Sequence, residues 1–235
     1  MMPGERALYD RLWDEALAYF RAGRVEIDPL LVRREFDDRR GLTLAARLDG
    51  AALGRLSGVL DDLRTLAPEQ HIYRPDELHI TVLSVISAAP GFDLARVPVN
   101  AYKSLFEALF AVTAPFTVHL RGLTASRSCA LICGYSPDGA LNALRDRLRA
   151  GLRAAGLADG LELRYQSTAA HVTALRFRAP PANLDALAGS IAARRDADYG
   201  PCPIHAIEFV VNDWTMSHDR VRLLARYALG GRAPE

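Results

Sequence analysis

The hydrophobic pattern of the chain changes period several times between its ends. Residues 1–22 carry Leu8, Leu12, Ala16, Tyr19 and Phe20 at helical spacing, and Gly23 stands where such a helix would stop. Asp28-Pro29 marks a turn. Period two takes over in LTLAARL, Leu42 to Leu48, whose even positions are apolar and predict a strand. Leu53, Leu56, Leu60 and Leu63 then form one helical stripe. A strand over Leu78–Ile86, a helix through Tyr102, Leu105, Phe106 and Leu109, and a strand FTVHLRGL, Phe116 to Leu123, complete the first half.

The second half replays this order. CALICGY reads as a strand, Asp138 as a helix N-cap, and Leu141, Leu144, Leu148 and Leu152 as a stripe. A short strand in STAAHVTALRF, a helix through Leu184, Leu187 and Ile191, the strand IHAIEFVV and a last strand in RVRLLARYAL follow. Matching elements lie roughly 80 to 90 residues apart, the mark of a duplicated unit. The pattern predicts an α+β fold of two pseudo-symmetric lobes, each an antiparallel sheet with helices outside, around a central cleft. Residues 1–41 read as an N-terminal helical extension packed on a bilobal domain of residues 42–235. Its lobes span about 42–125 and 126–235, with room for strand exchange between them.

Two of these strands carry polar groups where burial is the rule. In LHITV, His79 and Thr81 share one face while Ile80 and Val82 share the other, and AHVTA repeats the device with His171 and Thr173. A single histidine on such a strand is ordinarily a hydrogen-bonded core residue. Six His and nine Thr scattered at random give roughly 0.2 H-x-T triplets per chain, so two in matching contexts ask for a chemical reason.

Composition narrows that reason. A net charge of +1 supplies no bulk field for holding a long nucleic acid, so any such substrate must be gripped locally. Lys103 is the only lysine; the other cations are arginines, planar donors suited to phosphate. Cys129, Cys133 and Cys202 match no common zinc spacing and read as reduced, buried small hydrophobes. The charged N-terminus lacks a secretory h-region and no stretch reaches membrane-spanning length, so a cytoplasmic monomer without membrane association is expected.

The two imidazoles have no acidic or thiol companion at ligand spacing, threonine is a poor zinc ligand, and no G-x-S-x-G or Cys-His signature is present. Neither a metal nor a cofactor is expected. In-line displacement at a phosphodiester, by contrast, needs a base, an acid and donors for the equatorial oxygens, and two His with two Thr supply all of these. The paired LHITV and AHVTA motifs, with the order of elements from Leu42 onward, resemble the 2H phosphoesterase superfamily. This group includes 2'-5' RNA ligases and cyclic nucleotide phosphodiesterases. The RRGLT, GLTASRSC and NDW segments resemble a bacterial subgroup whose substrate is undefined.

The resemblance implies His79, Thr81, His171 and Thr173 as the catalytic quartet. It also implies a nucleotide or RNA end bearing a 2',3'-cyclic phosphate or a 2'-5' linkage as partner. A nucleotide-sensing module without turnover is the main rival. A sugar mutarotase is a weaker one, because it leaves both threonines without a phosphate to hold. Secondary candidates for substrate contact are Tyr73, able to stack on a base; Tyr165 and Ser167, in the loop before the second motif; Arg176; and Trp214. Strict alternation puts Arg176 on the face opposite His171, where a structural ion pair is equally apt.

Overall fold

A computed structural model describes residues 3–163 and 166–230. In chain order the elements are α1 (Pro3–Arg21), β1 (Arg40–Arg47), α2 (Gly50–Leu66), β2 (His71–Ile72), β3 (His79–Ala89), α3 (Val99–Ala111) and β4 (Phe116–Ser126). They continue with β5 (Cys129–Tyr135), α4 (Ala140–Ala154), β6 (Val172–Arg176), α5 (Leu184–Ala193), β7 (Asp198–Ile204), β8 (Ala206–Asp213) and β9 (Arg222–Ala228). The α+β class and the two antiparallel sheets agree with the sequence pattern. Side-chain caps open two of the helices: the Asp49 carboxylate accepts from the Ala52 N–H and the Asn183 side chain from the Ala186 N–H. At α4 the N-cap is Gly139, in the left-handed region, rather than Asp138. The Asp138 carboxylate still accepts the Ala140 N–H.

The sheets run β3-β1-β8-β9 and β2-β6-β5-β4-β7. In each, an H-x-T strand lies beside the first strand of its own half, which lies beside a strand from the other half: β8 next to β1, and β4 next to β5. One continuous apolar core joins both sheets to α2, α3, α4 and α5. All three cysteines are buried and unpaired.

The segment IHAIEFVV is not one strand. It breaks at His205 between β7 and β8, and DYGPCPI forms β7 itself. The two prolines hid that strand, but an edge position tolerates them. Arg55 of α2 donates to the outward carbonyls of Tyr199 and Pro201, covering part of the edge.

Irregular pairing decides which side chains face the cleft. In the β1–β3 ladder Ala45 opposes Thr81 and Leu44 opposes Leu83, leaving Val82 as an extra residue; Thr43 opposes Ser84 and Leu42 opposes Ile86, leaving Val85 extra. Each bulge resets the alternation, so His79, Thr81, Ser84 and Ser87 share one face at spacings of two, three and three. In the β5–β6 ladder Leu131 opposes Thr173 and Ala130 opposes Leu175, which makes Ala174 the extra residue. Both H-x-T motifs are thus followed at once by a bulge.

Helix α1 lies against the cleft-facing side of the second sheet. The Tyr9 hydroxyl donates to the Gly134 carbonyl at 2.9 Å and accepts the Gly134 N–H at 3.2 Å, and the Thr124 hydroxyl donates to the Tyr9 carbonyl at 3.0 Å. Gly134 has a second task, because a Cβ there would lie 1.7 Å from the Ala170 carbonyl oxygen. Only glycine lets the chain entering the second motif cross β5 this closely. Gly134→Ala is therefore expected to cost about 3 kcal/mol, within the range for overpacking. For a chain of this length that lowers Tm by roughly 6 to 12 °C. Gly58→Ala, on an exposed and open turn of α2, is expected to raise Tm slightly. Equal Tm values for the two variants would refute the close-approach argument.

Candidate active site

The four motif side chains converge. His79 and Thr81 from β3, with His171 and Thr173 at the start of β6, open on one cavity of about 130 Å³. Tyr73, Ser167, Arg176 and Trp214 line it as well, as do Thr43, Ser84, Ser87, Asn212 and Thr215. Tyr165 lies outside the described residues. The hydroxyl-rich wall suits a phosphoryl group, since each Ser or Thr can turn a donor toward a non-bridging oxygen.

The histidines are held differently. His79 Nδ1 lies 2.7 Å from the Glu77 carbonyl, which can only accept, so Nδ1 carries the proton and the lone pair sits on Nε2. His171 makes no hydrogen bond among the described residues. Burial lowers His79 to about 4; the Glu77 carbonyl opposes that shift, while the charges of Arg47, His171 and Arg176 add to it. Burial likewise lowers His171 to about 4, helped by Arg145 and Arg176. Near neutral pH both rings are uncharged.

Helix α4 supplies the scaffold beneath them. Arg145, 1 % exposed, donates from Nε to the Val82 carbonyl at 2.9 Å and from Nη2 to the Thr81 and Ala169 carbonyls at 2.8 and 2.9 Å. One guanidinium thus ties the first motif to the chain two residues before the second. One turn on, Arg149 donates to the Glu162 carboxylate at 2.8 and 3.1 Å and to the Ser167 carbonyl at 2.8 Å. Glu162 also accepts the Ser167 N–H at 2.7 Å and holds a left-handed backbone conformation at φ 45°. Desolvation works to raise the Glu162 carboxyl, but the bonded Arg149 and the Ser167 N–H outweigh it and hold the group ionised.

Two expectations are corrected. Arg176 lies on the His171 face because the bulge at Ala174 shifts it across the strand, and its Nε donates to the Tyr73 hydroxyl at 3.0 Å. Tyr73 is no stacking platform: its ring is 1 % exposed and packs edge-on against His71, leaving its rim to the cavity. Trp214 is half-buried, with the guanidinium carbons of Arg39 and Arg176 4.9 and 5.5 Å from its ring centroid. Arg39 is otherwise committed to Asp28 and Asp37.

A family model of the 2'-5' RNA ligase superfamily matches residues 53–214, more than half of the chain and inclusive of both motifs. The chain belongs to this superfamily. Among solved structures, TT0787 of Thermus thermophilus is similar at 19 % identity and TM-score 0.59, over 81 % of this chain and 98 % of that one. E. coli LigT complexed with 3'-AMP is similar at 16 % identity and TM-score 0.52, over the same shares. Curated protein sequences yield no match. At these identities the structural likeness establishes the 2H phosphoesterase fold, to which the two exchanged sheets conform.

Within this superfamily member, α1 and β1 lie outside the matched stretch, yet both border the cleft. Sequence reading missed Ser84, Ser87, Thr43, Asn212, Glu162 and the two α4 arginines. The serines left a trace, since polar residues at 79, 81, 84 and 87 in an apolar run break strict alternation. Among the described residues no three His, Cys, Asp or Glu group as metal ligands, and no helix is long and apolar enough to cross a membrane.

The depressed histidines tie stability to pH. Unfolded histidine titrates near 6.5, so between 6.5 and 4 the unfolded chain binds protons that the folded chain refuses, and stability present above 6.5 is lost as pH falls. Each histidine contributes about 1 kcal/mol per pH unit in that window. Urea unfolding of H79Q/H171Q should therefore lose about 2 kcal/mol less than the native sequence between pH 6.5 and 5.5. Identical losses would place both rings in ordinary solvent.

Proposed function

We propose that the protein is a metal-independent phosphoesterase that cleaves 2',3'-cyclic phosphates or 2'-5' phosphodiester linkages in nucleotides or RNA ends. Membership of the superfamily supports phosphoester chemistry, and LigT complexed with 3'-AMP shows a nucleotide bound to the same fold. The observation that carries the reading is the opening of both His-Thr pairs, with Arg176, on one small polar cavity.

In this reading His79 is the base in hydrolysis. Its Nε2 lone pair takes a proton from water as the water oxygen attacks phosphorus, and the Glu77 carbonyl steadies the imidazolium that forms. His171 is the acid. The bound anion offsets the repulsion from Arg145 and Arg176 and allows the ring to charge. That same repulsion speeds delivery of the proton to the departing ribose oxygen when the P–O bond breaks. Thr81, Thr173 and Arg176 hold the non-bridging oxygens as charge builds. Ligation of a ribose hydroxyl onto a cyclic phosphate uses the same two transfers with the hydroxyl in place of water: His79 takes its proton as the new P–O bond forms, and His171 protonates the ring oxygen that departs.

Turnover of 2',3'-cyclic nucleotides should persist in excess EDTA, while H79A and H171A should each lower kcat by about 10² to 10⁴-fold with little change in fold. T81V and T173V delete a donor apiece and should cost roughly 1 to 3 kcal/mol of transition-state stabilisation. Native-like turnover in either histidine variant would overturn the mechanism. Loss in EDTA with recovery on adding a divalent ion would replace it with a metal-assisted one.

A further inference from the structure

The phosphate-sized cavity does not stand alone. A second chamber of about 470 Å³ adjoins it, and the two share Thr81, Ser167, His171, Thr173, Arg176 and Trp214. Its character is different. The wall beyond the shared residues is Leu8 and Leu12 of α1, Leu131 and Cys129 of β5, and Ala169, with Ser126, Ser128, Gln166 and Thr168 adding uncharged polar groups. Among the described residues no carboxylate lines it. The charges these residues bring are those of Arg176, at the boundary with the first cavity, and Arg145, whose guanidinium is occupied by backbone carbonyls and Asn142.

Leu8 is the informative residue. It is a half-buried leucine, yet it packs into none of the buried apolar clusters formed by the described residues. Its neighbour on the helix, Leu12, packs against the Tyr9, Cys133 and Tyr135 cluster as well as facing the chamber. Helix α1 is pinned over the second sheet by the Tyr9–Gly134 and Thr124–Tyr9 hydrogen bonds, so its leucines form a fixed wall. This helix precedes the stretch that the superfamily model matches.

We propose that α1 builds a base-binding subsite in which Leu8 and Leu12 hold the neutral nucleobase of a mononucleotide whose phosphate lies between His79 and His171. The subsite rests on the phosphoesterase assignment for its orientation, and on the chamber itself for its chemistry. A 130 Å³ cavity takes a phosphoryl group and little more, so the rest of the substrate must leave it. The exit past His171 opens on apolar side chains and uncharged donors and acceptors, a lining that fits a flat heterocycle with polar edges. Beyond its boundary with the first cavity the chamber presents a second phosphate with no cation but Arg145, whose guanidinium is engaged by backbone carbonyls and Asn142, and this selects a mononucleotide over an oligonucleotide.

The experiment uses the full chain and three probes: adenosine 2',3'-cyclic monophosphate, ribose 2',3'-cyclic phosphate lacking a base, and inorganic phosphate. For each, the dissociation constant by calorimetry is compared between the native sequence and L8D, with Tm confirming that L8D folds. L8D should weaken the nucleotide at least tenfold and leave inorganic phosphate and the base-free sugar within twofold. Methyl NMR of the native protein gives a second readout. The nucleotide should shift Leu8, Leu12 and Leu131, and inorganic phosphate should leave them in place. Nucleotide binding that moves no leucine methyl, or an L8D effect equal for all three probes, overturns the subsite. Binding at the leucines without turnover of either cyclic phosphate would leave the subsite standing and refute the hydrolytic reading instead. Failure of the nucleotide to bind at all would refute both.

Discussion

The arrangement of the cleft depends on one buried cation. Arg145 reaches from α4 to the carbonyls of Thr81 and Val82 on one side and of Ala169 on the other, so a single planar group fixes the spacing of two segments more than eighty residues apart. Those carbonyls are available because Val82 is bulged out of the ladder, and a bulged residue leaves its backbone groups without a regular partner. The guanidinium and the bulge thus satisfy each other: a buried charge gains acceptors, and a disrupted strand gains donors. Burial lowers Arg145 to about 10, so it still carries its charge at neutral pH. Arg149 extends the same logic one turn along the helix, holding Glu162 and Ser167 where the loop bends toward the second motif.

That charge has a chemical consequence as well as a structural one. Burial keeps both imidazoles neutral near pH 7, and the positive potential of Arg145, Arg176 and Arg47 adds to it. A phosphate monoanion reverses the balance. Opposite charge within a few ångströms favours the imidazolium, so in the proposed mechanism arrival of substrate itself prepares the acid. The neutral Nε2 of His79 needs no such preparation, because the Glu77 carbonyl has already selected its tautomer. The two histidines are chemically equivalent in sequence and become different through what their rings meet, the Glu77 carbonyl for His79 and no hydrogen-bond partner among the described residues for His171.

Much of this was legible in the residues alone. Period-two alternation found β1 and β4, apolar runs found β3, β5 and β6, apolar stripes found the helices, and the paired triplets singled out the four residues that meet in the cleft. Bulges were not legible, since a one-residue insertion in a ladder depends on the partner strand, and this is why Arg176 was assigned to the wrong face. Nor was the role of α4. An arginine after Leu144, Leu148 and Leu152 of a stripe reads as the solvated edge of an amphipathic helix, whereas here Arg145 and Arg149 turn inward to acceptors that other parts of the chain create. Tyr73 misled for a related reason: an aromatic before a motif strand looks free to stack, and only packing shows its ring enclosed.

A joint acid/base role requires one phosphate to touch both imidazoles at once, and side-chain NMR of histidine tests that directly. When orthophosphate is titrated into the native protein, the ring resonances of His79 and His171 should move together along curves with one shared dissociation constant. At least one ring should charge at a pH well above 4, because the bound anion favours the imidazolium. Two different dissociation constants, or a response from one ring alone, would mean that the motifs serve separate sites and would contradict that role.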